Sequence, residues 1–150
     1  MPTSIADCAH LLAEQGLRHH VDSEEATIRL VFVTRQYRNL RGEKLIVMSI
    51  EAPDDGHRVR ASIARAFTVG ADPAAVCLVA CRQAADTPLV AVEFDADFDD
   101  LRLVVETPVD DGSLSQLQLM SMIDRLVEAA EAWAPAMSGG CSIPARRGAA

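Results

Sequence analysis

Along the first sixteen residues the apolar positions fall three or four apart. Ile5, Cys8, Ala9 and Leu12 make one stripe, Thr3 or Ser4 stands where a cap belongs, and Gly16 suits a left-handed stop, which together predict a helix. A short extended piece follows at 17–21, then a polar turn at 22–25. Residues 27–37 hold Ile28, Leu30, Val31, Phe32, Val33 and Tyr37, the β-branched and aromatic density of a strand, and 45–50 reads as its hairpin partner. From 57 to 68, Val59, Ile63, Ala66 and Phe67 share a helical face with Arg58, Arg60 and Arg65 opposite, which predicts a second helix ending at Gly70. Beyond Asp72 and Pro73 the period returns to two. Strands are expected at 76–82, 89–94 and 101–107, joined by short polar turns into an antiparallel meander.

The last helix is the best marked. Residues 110–112 form a turn, and Ser113 with Gln116 reads as a capping box. Leu119, Met122, Ile123, Leu126, Val127, Ala130 and Trp133 then build one broad apolar face, which Pro135 is expected to stop. Leu117 and Met120 lie off the centre of that face and widen it beyond what a simple surface helix needs. Residues 138–150 have no periodicity and read as a flexible tail behind one domain over 1–137. The order α-β-β-β-α-β-β-β-α is that of an α+β fold, an antiparallel β-sheet flanked by three helices.

Composition narrows the function more than the fold. A chain of 150 residues with 49% apolar content builds a core without metal or disulfide, and with only 4% aromatic residues that core is aliphatic. A net charge of −8 argues against nucleic-acid partners. No apolar run approaches the roughly 20 residues of a membrane helix. Asp7 near the start, with no basic stretch before it, argues against a signal peptide, so a cytoplasmic chain with four reduced cysteines is expected. The charge is unevenly spread. Arg29, Arg35, Arg38, Arg41 and Lys44 face only Glu43 over 29–44, whereas twelve acids face Arg102 and Arg125 over 86–131. Such polarity suits partner steering or self-association, or simply two solvated faces.

The run over 101–137, LRLVVETPVDDGSLSQLQLMSMIDRLVEAAEAWAPAM, resembles the C-terminal half of the YbjN family of bacterial proteins. An alternating strand enters a Pro-containing turn, and a Leu-rich helix follows and ends near a Pro. The upstream order of elements agrees over 3–137. The resemblance implies a fold like that of type III secretion chaperones, often dimeric. It also implies a regulatory or chaperone-like role and brings no catalytic residues.

Candidate chemistry is sparse. Asp95, Asp97 and Asp99 with Glu106 mimic the spacing of an EF-hand loop, but Asp100 replaces the turn glycine and the flanks read as strands. A charged hairpin tip that discourages edge pairing is the plainer reading. Cys77 and Cys81, on a strand, would stand roughly 13 Å apart, too far to share a metal. His19 and His20 would point to opposite faces. No nucleophile with its base and no phosphate loop can be assembled, so no enzyme and no cofactor is expected. The reading that remains is a homodimeric, non-enzymatic module that holds a protein segment by burying apolar surface, with strand addition at a sheet edge as a secondary mode. Phe32, Met48, Leu117, Met120 and Trp133 are its candidate contacts. The alternative is a small-molecule or metal-responsive regulator with calcium over 95–106.

Overall fold

A computed structural model describes residues 3–109 and 113–138. The expected turn at 110–112, and all of the expected tail except Ser138, lie outside the described residues. Helix α1 (Ile5–Glu14) begins at Ser4, whose Oγ accepts from the Asp7 N–H at 3.1 Å while Asp7 Oδ2 accepts from the Ser4 N–H at 2.8 Å. Strands β1 (His19–Asp22), β2 (Thr27–Val33), β3 (Leu45–Glu51) and β4 (Arg58–Thr68) follow, with a short 3-10 turn (Asp54–Gly56) before β4. Then come helix α2 (Pro73–Ala85), β5 (Ala91–Asp95), β6 (Asp100–Pro108) and helix α3 (Gln116–Ser138).

All six strands form one antiparallel sheet in the order β1-β2-β3-β4-β6-β5. The chain leaves β4, crosses through α2 to the far edge, and returns as β6 between β4 and β5. One row of side chains faces the helices: Ile28 and Leu30, Ile50 and Met48 opposite them, then Ala61, Val105, Ile63 and Leu103. Against that row α3 places Leu119, Ile123, Leu126 and Trp133, all essentially without exposure.

Three helices and six strands are present, as expected, but two segments exchange roles, so the order reads α-β-β-β-β-α-β-β-α. The run expected as the second helix is β4. Val59, Ala61 and Ile63 alternate inward, and a bulge between Ile63 and Phe67 then shifts the phase. That shift sets Val59, Ile63, Ala66 and Phe67 at spacings that imitate a helix. The run expected as a strand at 76–82 is α2. Asp72 is its N-cap, accepting from the Ala75 N–H at 3.1 Å, and Pro73 occupies the first turn, where a missing N–H costs nothing. Alanine-rich context outweighs the β preference of Val76 and Val79.

Two details of α3 also differ. The capping box is Ser115 with Gln118, two residues beyond the expected pair, with bonds of 3.2 and 2.9 Å. Pro135 does not stop the helix, which runs one further turn to Ser138. So near the end, a proline forfeits a single backbone bond.

Candidate functional site

The candidate contacts separate by burial. Met48 and Trp133 are fully enclosed, so they are core and not contact residues in this chain. The Trp133 indole N–H donates to Thr87 Oγ1 at 2.9 Å, and the Thr87 hydroxyl donates to the Gln83 carbonyl at 2.8 Å, tying α3 to the end of α2. An aromatic ring on the expected apolar face of a long helix was packing, not display. Phe32 is half-buried against the core. Leu117 and Met120 do reach the surface of α3, Leu117 with 80% of its area exposed and Met120 half-buried.

Around Leu117 the sheet and helix leave a groove. β5 is shorter than β6 and its pairing ends at Ala91 opposite Val104. From Val105 to Pro108, β6 therefore has no strand partner on that side among the described residues. The space beside this open edge, about 430 Å³, is lined by Leu89, Val105, Pro108, Leu117, Met122 and Arg125. Leu117 is also a wall of a shallower hollow of about 270 Å³ that includes Met120. Leu89, 73% exposed, holds φ at +67°, a left-handed backbone that a leucine adopts only under constraint. The sequence does not single out Leu89, because the run 89–94 has the pattern of a strand. Its one advance signal is an apolar residue directly after Thr87 and Pro88.

The opposite sheet face divides in two. Across β4, β5 and β6 it is a lattice of ion pairs: Arg60 to Glu93 at 2.6 Å and to Glu106, Arg58 to Glu106 at 2.9 Å, Arg102 to Asp95 at 3.2 Å, and Arg65 to Asp100 at 2.7 Å. Burial disfavours the charge on Glu106, but the guanidinium groups of Arg60 and Arg58 prevail and hold its carboxyl below the usual value. Across β2 and β3 the same face is aliphatic toward the 34–44 loop, with Val31 and Val47 directly paired and 58% and 48% exposed, and polar beyond them, where Arg29 pairs with Ser49.

The expected cation ligands do not converge. Asp95 is engaged by Arg102 and caps the Asp97 N–H at 3.1 Å, while Glu106 lies down β6 between two arginines. Among the described residues no three His, Cys, Asp or Glu side chains gather as a metal site. Cys77 and Cys81 are one turn apart on α2 and not far apart on a strand, which corrects the expected separation. Burial pushes the Cys8 thiol up to about 11 and the Tyr37 phenol up to about 12, so both stay neutral near pH 7. Among the described residues no helix is long and apolar enough to cross a membrane.

No protein-family model and no curated protein sequence matches the chain. Shape does find a match. A chain in the crystal structure of the ExsC-ExsE complex superposes with a TM-score of 0.59 at 14% identity, covering 87% of this chain and 90% of that one. The fold is that of a type III secretion chaperone.

Proposed function

We propose that this chain is a YbjN-like, chaperone-like protein-binding module that works as a homodimer and holds an extended client segment in the groove between α3 and the open edge of β6. The observation that carries the reading is the pairing of that edge with Leu89 and Leu117. Backbone groups at 105–108 offer a segment a strand to join, and the two leucines offer its side chains an apolar wall. Exposed leucines at 73% and 80% flanking one groove are the kind of surface that partners cover. Support from shape comes from the solved neighbour, which was crystallised as a complex of two named proteins. The YbjN-like character rests on the strand, turn and helix pattern over 101–137. No catalytic step is assigned.

A permanently unfolded protein, reduced and carboxymethylated α-lactalbumin carrying a fluorophore, tests the reading by anisotropy. Saturable binding that Leu117→Asp weakens at least tenfold is the expected result. Binding that is absent, or indifferent to Leu117→Asp, sinks it.

A further inference from the structure

The connection between β2 and β3 is eleven residues long, 34–44, yet it is tightly built. Asn39 Oδ1 accepts from the N–H groups of Arg41 and Glu43, both at 3.0 Å, and the Thr34 N–H reaches the Lys44 carbonyl at 3.0 Å. Tyr37 is buried with its hydroxyl donating to the Ala66 carbonyl at 2.9 Å, and its ring meets Phe67 edge-on. From the other side, the Glu131 carboxylate of α3 accepts from the backbone N–H groups of Arg35, Gln36 and Tyr37 at 3.0–3.2 Å. The loop is pinned by β4 and α3 together, so what it displays is preorganised.

What it displays is positive charge. Arg35, Arg38, Arg41 and Lys44 stand against Glu43 alone, in a chain whose net charge is −8. None of the four makes an ion pair among the described residues; the Arg38 side chain donates to the Gly42 carbonyl at 2.8 Å, and Glu43 is held by Asn39. Between this loop and the bulge of β4 lies a hollow of about 330 Å³, lined by Tyr37, Leu40, Val47, Ala64, Arg41 and Arg65 and by one acid, Glu43, which Asn39 holds. Leu40 and Val47 are 42% and 48% exposed there, and the aliphatic floor continues to Val31.

Beside it stands a complementary feature. The β5–β6 turn presents Asp97 and Asp99, which have no ion pair among the described residues, on either side of Phe98, 59% exposed. The hollow and the tip are neighbours on one face, because Arg65 both lines the hollow and lies 5.1 Å from the Phe98 ring centre.

We propose that the occupant of the hollow is the Asp97–Phe98–Asp99 tip of a second copy of this chain. Phe98 enters the aliphatic floor, and its flanking carboxylates meet Arg41, which lines the hollow, and Lys44 farther along the same loop. Since each copy carries both features side by side, a two-fold axis between them allows both contacts at once and closes the assembly as a dimer. A nucleic acid would also seek the cations, but it has no use for an aliphatic floor and is repelled by the chain as a whole. The inference deepens the self-association part of the reading above and is independent of the groove beside β6. Contacts this small and this charged predict a weak, salt-sensitive dimer.

The test is light scattering on a size-exclusion column at low salt, across loading concentrations, with folding checked by circular dichroism. Wild type should be dimeric and lose the dimer as salt rises. Arg41→Glu with Lys44→Glu should weaken the dimer at least tenfold, and so should Asp97→Lys with Asp99→Asn, asparagine being chosen because Asp99 has φ +52°. Mixing those two variants should restore a dimer, since each then offers the other an opposite charge. A wild-type monomer at every concentration overturns the proposal, as does a dimer that ignores both variants or a mixture that stays monomeric. Client binding by a monomer would leave the groove reading intact while removing this one.

Discussion

Leu89 combines two things a surface residue does not ordinarily combine, a large apolar side chain and a left-handed backbone at φ +67°. Glycine takes that backbone freely, so Leu89→Gly relieves strain while removing half of the groove's apolar wall. Stability should stay within about 1 kcal/mol of wild type, because strain relief and the added freedom of the unfolded chain offset each other. Binding of the unfolded client should fall several-fold; a variant that loses stability but keeps affinity would make Leu89 structural. Glu106 gives a pH prediction of definite sign. Its folded-state pKa is lowered, so its stabilising effect is complete above 4.5, the ordinary value, and fades as pH falls through the lowered one. Glu106→Gln should therefore cost about 0.5–1 kcal/mol at pH 7, a figure kept small by partial exposure, and progressively less in urea unfolding as pH falls below 4.5. Among the thiols, Cys8 is buried with its pKa near 11, whereas Cys81 is exposed. In a Cys141→Ser background an aromatic disulfide reagent at pH 8 should label Cys81 quickly and Cys8 only on unfolding.

At the scale of elements, some boundary marks and some periods are legible in the sequence and others are not. A cap at Thr3 or Ser4, the β2–β3 hairpin and the apolar face of α3 follow directly from spacing and residue type, and the backbone settles the cap on Ser4. Two adjacent segments do not, for one local reason each. A bulge in β4 adds residues that turn an alternation of two into apparent helical spacing, and Asp72 and Pro73 mark a helix start as readily as a break. At α3 the pattern Ser-x-x-Gln occurs twice, at 113–116 and at 115–118, and only the backbone decides between them. Ser115→Ala should cost about 1 kcal/mol and Ser113→Ala next to nothing, as read from urea midpoints. Trp133→Ala should cost about 3–5 kcal/mol, the price of emptying a filled core, whereas Leu117→Ala should leave stability within about 0.5 kcal/mol. The candidate contacts thus divide by what covers them, which spacing along a helix cannot report.

Across the whole molecule, one sheet carries three surfaces with different tasks. The helix-facing side is the aliphatic core that the scarcity of aromatic residues foretold. The outer side has an ion-pair lattice over β4, β5 and β6 and an exposed valine patch on β2 and β3, a division invisible in the sequence because it depends on which strands are neighbours. Arg60 bridges β4 to both β5 and β6 only because β6 returns between them. The third surface is the open stretch of β6, present because β5 stops four residues short of β6's end. A shared fold with a chain of the ExsC-ExsE complex at 14% identity is consistent with an architecture kept by pattern rather than by particular residues. The measurement that bears most directly on the function is hydrogen exchange of this chain with and without the unfolded lactalbumin client. Bound client should slow exchange at Val105–Thr107 and across residues 117–122 of α3, leaving the β1 edge unchanged. Protection confined to β1, or to the ion-paired face, would contradict a client seated between α3 and the open edge of β6.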